Sequence, residues 1–327
     1  MRSLWLVTFA SAAVVLFAPA SATPLPPPPQ TAPWVADGGP DPRTAAPTEV
    51  ARYFAGLDDA AQHALAARYP AVVGNLDGAP LELRLATNGG FRLAYDPRGD
   101  GRIAEVVGDL LTADRIAVLI PGVDTTQWTF HSGLGGVERR APVWQARQLY
   151  EAARAADPSA RVAVVAWLGY DPPEGVRLAA IRADRASAGA SALRRFVGGV
   201  AAQRPGASIV LIGHSYGGLV LGLAAPRLDP AVTDLIALGS PGMGVRRAAD
   251  LHTGARVWAG TAPNDWTRRV PGVRIGGAGH GTRPSARSFG ALPVPAGDVD
   301  GHDGYFVPGT RCLAAIASIV AGANASS

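Results

Sequence analysis

From residue 115 onward the apolar positions fall into short unbroken runs separated by longer stretches of helical spacing. The runs "RIAVLIPG", "RVAVVAWLGYD", "ASIVLIG", "DLIALGS" and "ARVWAG" place apolar residues consecutively rather than on alternate positions. Such runs predict strands buried on both faces, the pattern of a parallel sheet. Between them lie "PVWQARQLYEAARAAD", a helical stretch from about residue 176 to 203, and a helix after Ser215 that ends at Pro226. A short strand is expected near "SFGALPV", and "RCLAAIASIVAG" predicts a closing helix. Strands alternating with helices define an α/β chain, a mostly parallel sheet with helices on both faces. Right-handed crossovers in such a sheet put ligands at the carboxyl ends of the strands.

Upstream the pattern is different. The stretch "LDDAAQHALAARYP" predicts a helix opened by Asp58 or Asp59 and stopped at Pro70. His63 on that helix has no partner nearby in sequence and reads as a surface or packing residue. "FRLAYD" and "GRIAEVVGD", joined by "PRGDG", predict a hairpin. Asp96, Asp100 and Gly101 hint at a calcium loop, but the downstream glutamate such a loop needs is absent, and the turn reading wins. Residues 23–47 contain four consecutive prolines and few apolar residues, which predicts an extended linker. Residues 1–22 carry Arg2, an apolar core and the sequence Ala20-Ser21-Ala22, the form of a cleaved signal peptide. That apolar core is shorter than the roughly 20 residues of a spanning helix, so a retained anchor is the weaker alternative and no stable membrane span is expected. The resulting boundaries are a signal peptide over 1–22, a Pro-rich linker over 23–47, one domain over 48–322 with a helical and hairpin extension at its start, and a tail over 323–327.

Composition narrows the class. The 327 residues are 48% hydrophobic and 17% charged with mean hydropathy +0.13, which suits a globular chain able to bury a large core. Net charge is +4, yet every one of the 30 cations is an arginine and none is clustered, so no nucleic-acid partner is expected. The single cysteine, Cys312, rules out an intrachain disulfide and a thiolate zinc site. It sits in the closing helix and reads as a small buried hydrophobe. No metal or cofactor is implied.

The chemistry is concentrated at Gly213-His214-Ser215-Tyr216-Gly217, a G-x-S-x-G sequence with a strand before it and a helix after it. A serine on so sharp a turn needs neighbours without side chains, and the turn lifts its hydroxyl above the sheet. The same turn presents the Tyr216 N–H and the positive end of a helix to a developing oxyanion. His214, inside the turn, is expected to point away and pack. Serine needs a base, and the base needs a carboxylate to orient it. No glutamate occurs after Glu174, so the acid is an aspartate. Asp229 and Asp234 fall at the wrong end of the sheet and Asp250 before a strand, whereas Asp265 falls just past the strand "ARVWAG". Of the later histidines, His252 precedes Asp265 and fails on chain order. His280 stays possible, and His302, between the last strand and the closing helix, is preferred on topology. The second oxyanion donor is expected from the N–H of Val123 in "PGVDTT", with the Asp124 carboxylate turned outward or engaged elsewhere.

Eight stretches then carry a resemblance: "VVGNLDGAP", "AYDPRGDGRIAEVVGD", "VLIPGVDTT", "VAWLGYDPP", "GHSYGG", "LGSPGMGV", "HGTRPSARSFGA" and "GHDGYFVPG". In order and spacing, over about residues 70 to 310, the chain resembles a largely actinobacterial alpha/beta-hydrolase family formerly grouped as a domain of unknown function. The resemblance implies an alpha/beta-hydrolase fold and a serine nucleophile, with Ser215, Asp265 and His302 in the matching positions. It implies no substrate. The chain departs from the expected pattern at Val123, where a second small residue would follow Gly122.

These readings converge on an exported serine hydrolase, secreted or held at the cell envelope, that cleaves a small-molecule or envelope acyl ester. Only "PGMGVRRAADLHTG" separates two successive strands, so no large lid is expected. An amidase or peptidase with the same triad is the close alternative, and a catalytically silent surface binding module is the alternative from another class.

Overall fold

The computed structural model describes residues 27–175, 183–272, 274–275 and 278–323. The expected signal peptide and the start of the helical stretch at residue 176 lie outside the described residues, as do residues 324–327 of the tail. The strands are β1 (Arg92–Asp96), β2 (Arg102–Gly108), β3 (Arg115–Ile120), β4 (Val162–Leu168), β5 (Ser208–His214), β6 (Val232–Leu238), β7 (Arg256–Gly260), β8 (Arg274–Ile275), β9 (Ala278–Gly279) and β10 (Leu292–Pro293). Eight of them form one sheet in the order β1-β2-β4-β3-β5-β6-β7-β10, while β8 and β9 pair separately. The β1/β2 hairpin is antiparallel and joins β4 antiparallel through β2; every other pairing in the large sheet is parallel. The mostly parallel α/β sheet read from the apolar runs is therefore the observed one.

Why those runs are unbroken is visible in β3. Ile116, Val118 and Ile120 face one core, and Ala117 and Leu119 face the other. The same alternation runs through β4 and β5, so each strand loses apolar surface to water on both sides. Two helices, Asp184–Gln203 and Gly217–Ala224, cover the first face; Pro142–Ala156 and Arg311–Ala321 cover the second. Thr310 caps the last of these by accepting from the Leu313 N–H at 3.2 Å, and Gly322, at φ 71°, ends it in the left-handed region where glycine is favoured. Cys312 is fully buried in that helix, and burial pushes its thiol up to about 12. Between β6 and β7 the chain forms only a single 3₁₀ turn, Ala248–Leu251.

The N-terminal region departs from the expected linker. From residue 27 it is folded onto the domain, with a helix at Thr31–Ala36 and another at Pro47–Ala55. Trp34 accounts for this. It is 0% exposed, its ring lies 5.5 to 6.3 Å from the rings of Tyr53, Phe54 and Tyr69, and its Nε1–H donates to the Pro40 carbonyl at 2.7 Å. One tryptophan carries enough apolar surface to dock a segment otherwise poor in it. Further along, Asp58 caps the helix Asp59–Arg68 by accepting from the Ala61 N–H, and the helix ends before Pro70 as expected. Two short helices not anticipated, Pro70–Val73 and Leu81–Thr87, complete this satellite core.

Candidate active site

Ser215 follows the last residue of β5 with φ 56°, one of four non-glycine residues at positive φ among the described residues. The strain is held in place from several sides. The Ser215 N–H donates to the Leu238 carbonyl at 2.9 Å, anchoring the turn to β6. A Cβ on Gly217 would sit 2.3 Å from the Ile120 carbonyl oxygen, so this glycine lets the turn press against the end of β3. Gly122, from the loop after β3, lies close enough that its own Cβ would meet the Ser215 Cβ at 2.7 Å.

Asp265 lies past the end of β7, where it opens the 3₁₀ turn Trp266–Arg269. Its side chain is fully buried and collects four donors. The Thr267 N–H and hydroxyl reach Oδ1 at 2.8 and 2.6 Å, the Tyr305 hydroxyl reaches Oδ2 at 2.5 Å, and Nδ1 of His302 lies 3.0 and 2.9 Å from the two oxygens. Burial alone would raise this carboxyl, but the hydrogen bonds from His302, Thr267 and Tyr305 outweigh it and hold Asp265 down at about 2. A carboxylate accepts only, so Nδ1 carries a proton and Nε2 of His302 is the nitrogen left for chemistry.

His302 is also clasped from the nucleophile's side. The His214 ring lies 4.7 Å from the His302 ring, and Trp266 flanks it at 4.9 Å. Nε2 of His214 lies 2.8 Å from the His302 carbonyl oxygen, which can only accept, so the His214 proton is on Nε2. Burial first, and the neighbouring His302 second, depress His214 to about 4 and keep it neutral. The expectation that His214 only packs misses this contact. The signal was the strand period: Val210 and Ile212 face the second core, and His214 continues that face toward Tyr305.

Ser215 and His302 both line a cavity of about 610 Å³. Val123 lines it too, and its N–H has no hydrogen-bond partner among the described residues. Tyr216 stands at the N-terminus of the helix Gly217–Ala224. The Asp124 carboxylate is engaged elsewhere, accepting from the Gly175 N–H at 2.6 Å. Arg140, at the end of the loop region after β3, pairs with Asp303, next to His302, at 2.7 Å, and both line the cavity. His280, the alternative base, does not line this cavity; it is buried with its ring 6.1 Å from that of Tyr216. His252 ends the turn Ala248–Leu251, also away from the cavity.

Residues 96–275 match a family model described as alpha/beta hydrolase. An uncharacterized protein of Mycobacterium tuberculosis is 31% identical over 269 residues, covering 71% of this chain and 39% of the relative. An uncharacterized protein of Mycobacterium bovis is 35% identical over 161 residues, covering 48% of this chain and 58% of the relative. The chain thus spans about two fifths of the length of the first and under two thirds of the second. Among solved structures, XC6422 from Xanthomonas campestris, described as a serine hydrolase without lid, aligns over 70% of this chain and 90% of its own at 17% identity and TM-score 0.39. Est1E from Butyrivibrio proteoclasticus aligns over 71% of this chain and 96% of its own at 13% identity and TM-score 0.37.

Proposed function

This chain belongs to the alpha/beta hydrolase family, and on that premise we propose that it is an exported serine hydrolase cleaving an acyl ester, with Ser215 as nucleophile, His302 as base and Asp265 as the carboxylate that orients it. The observation that carries the reading is the His302–Asp265 pair, closed through Nδ1, with His302 and the strained Ser215 facing one cavity.

Nε2 of His302 takes the Ser215 proton as Oγ attacks the ester carbonyl, and the imidazolium that forms is stabilised by Asp265. The carbonyl oxygen gains negative charge and is held by the N–H groups of Val123 and Tyr216. The intermediate collapses, the alkoxide leaves with the proton from His302, and an acyl group remains on Ser215. Water, deprotonated by the same imidazole, then releases the acid. The short connection between β6 and β7 favours an open cleft over a lipase tunnel, and so short or compact acyl groups.

The test is a fluorophosphonate probe with a p-nitrophenyl ester chain-length series run beside peptide substrates. Labelling and ester turnover in the native chain, both lost in a folded Ser215→Ala variant, support the reading. A folded native chain that neither labels nor turns over any ester overturns it, and faster peptide cleavage moves it to the amidase alternative.

A further inference from the structure

Two non-glycine residues that line the cavity holding Ser215 have positive φ: the serine itself and Asp124. Asp124, at φ 60°, directly follows Val123, whose N–H is the second proposed oxyanion donor. Aspartate and asparagine visit the left-handed region more readily than other residues with side chains, yet they stay there only when their surroundings hold them.

What holds Asp124 is the segment that follows β4. The Tyr170 hydroxyl donates to the Pro121 carbonyl at 2.7 Å. The Asp124 N–H donates to the Pro173 carbonyl at 3.1 Å, and the Gly175 N–H donates to Oδ1 of Asp124 at 2.6 Å. Gly122 and Val123 are thus strung between two fixed points, Pro121 on one side and Asp124 on the other. The anchors are themselves secured. Tyr170 is buried, with its ring stacked 6.1 Å from that of Trp167. Asp171 pairs with Arg185 at 2.6 Å, and Nη1 of Arg185 donates to the Pro172 carbonyl at 3.1 Å. Of the three tethers on the loop after β3, the Gly175 bond alone is made by a side chain of that loop, so one substitution can remove it.

We propose that Asp124 is a positioning residue: its carboxylate, bonded to the Gly175 N–H, fixes the Val123 N–H where the oxyanion forms. The inference rests on the hydrolase reading above. A donor stabilises developing charge most when its direction is set before the reaction begins. Misplacement of such a group by about 1 Å lowers the rate about 100-fold. The donor acts in the transition state, so the loss belongs in kcat and leaves KM where it was.

The test compares two variants of the full chain. Asp124→Gly removes the carboxylate and relieves the backbone strain at the same time, so a loss of rate there belongs to the missing tether. Asp124→Asn keeps an acceptor oxygen and the tolerance of positive φ. On p-nitrophenyl acetate, Asp124→Gly should lose about 30- to 100-fold in kcat with KM within about twofold, while Asp124→Asn should stay within about fivefold of the native chain. Amide hydrogen exchange, read residue by residue by NMR without substrate, should be at least about tenfold faster at Asp124 and Gly175 in Asp124→Gly and close to native in Asp124→Asn. Exchange judges the tether independently of turnover. A native chain that cleaves no ester overturns the hydrolase reading and the catalytic meaning of the tether, and exchange still decides whether Asp124 holds the loop. A native-like kcat in Asp124→Gly, a loss confined to KM, equal losses in both variants, or unchanged exchange would each overturn the inference.

Discussion

The Tyr305 hydroxyl donates to Oδ2 of Asp265 at 2.5 Å and in turn accepts the Ala262 N–H at 3.0 Å. One phenol thereby joins the segment that carries the proposed acid to the segment that carries the proposed base three residues earlier. Burial and the adjacent carboxylate both drive the phenol well above the usual tyrosine range, so it is always a donor here.

Tyr305→Phe should therefore destabilise the fold by about 1.5–3 kcal/mol, the range for a hydrogen bond to a charged group. Asp265 is depressed in the folded state, so its contribution to stability is present above the unfolded value of 3.8 and is lost as pH falls toward about 2. Removing one donor raises the folded value and shrinks that contribution. Urea denaturation at pH 7 and at pH 3 should show a larger difference between native and variant at pH 7.

Asp265→Asn should lower ester kcat by about 10⁴ while leaving phosphonate labelling slow but detectable, because the amide no longer fixes the proton on Nδ1. Single-turnover kinetics on p-nitrophenyl acetate would check this. A kcat within a factor of about ten of the native value would remove Asp265 from the proposed triad.

Gly122→Ala places a methyl group against Ser215 Cβ, at 2.7 Å before relaxation. The serine or the loop must shift, and a displacement near 1 Å at a reacting atom costs about 100-fold in rate. Ester kcat/KM should fall by about that factor, with an unchanged circular dichroism spectrum and a lowered melting temperature.

His214 is held neutral at about 4, against an ordinary value of 6.5. Its contribution to stability is full above pH 6.5 and is lost as pH falls from 6.5 through about 4, where the unfolded chain binds a proton that the folded one refuses. Denaturation midpoints recorded from pH 7 to pH 4 should decline in the native chain. In His214→Asn, which has no titrating ring, that decline should be shallower.

Trp34→Ala removes the residue around which the N-terminal segment is folded, and should cost about 3–5 kcal/mol. A chain lacking residues 1–46 should show a comparable loss in chemical denaturation, whereas a true linker would leave the midpoint unmoved.

What could be read along the chain was whatever depends on near neighbours. The turn around Ser215 announces itself because glycine spacing and strand-helix context are local, and the strands because burial on both faces leaves unbroken apolar runs. Asp265 and His302 could be nominated from their order after the serine, but nothing in one dimension brings Tyr305, 40 positions away, to the same carboxylate. The contact of His214 with the His302 carbonyl spans 88 positions and depends on which face of β5 the ring occupies. The linker reading failed because composition averages over a segment, whereas docking was decided by the single ring of Trp34. Helix Leu81–Thr87, only 7 residues long, is too short for a periodic signal.

The two walls of the cavity that holds Ser215 are built to different tolerances. On one side, Asn264 and Asp265 are bonded to Asp300, Gly301, His302 and Tyr305, so the segments around 265 and 302 form a laced frame. On the other, residues 125–140 contain only two 3₁₀ turns, and Arg140–Asp303 is the ion pair that spans the gap. A protein engineer seeking new substrate preferences should randomise that second wall. Diversity introduced into the laced side would trade away the machinery before it altered the menu.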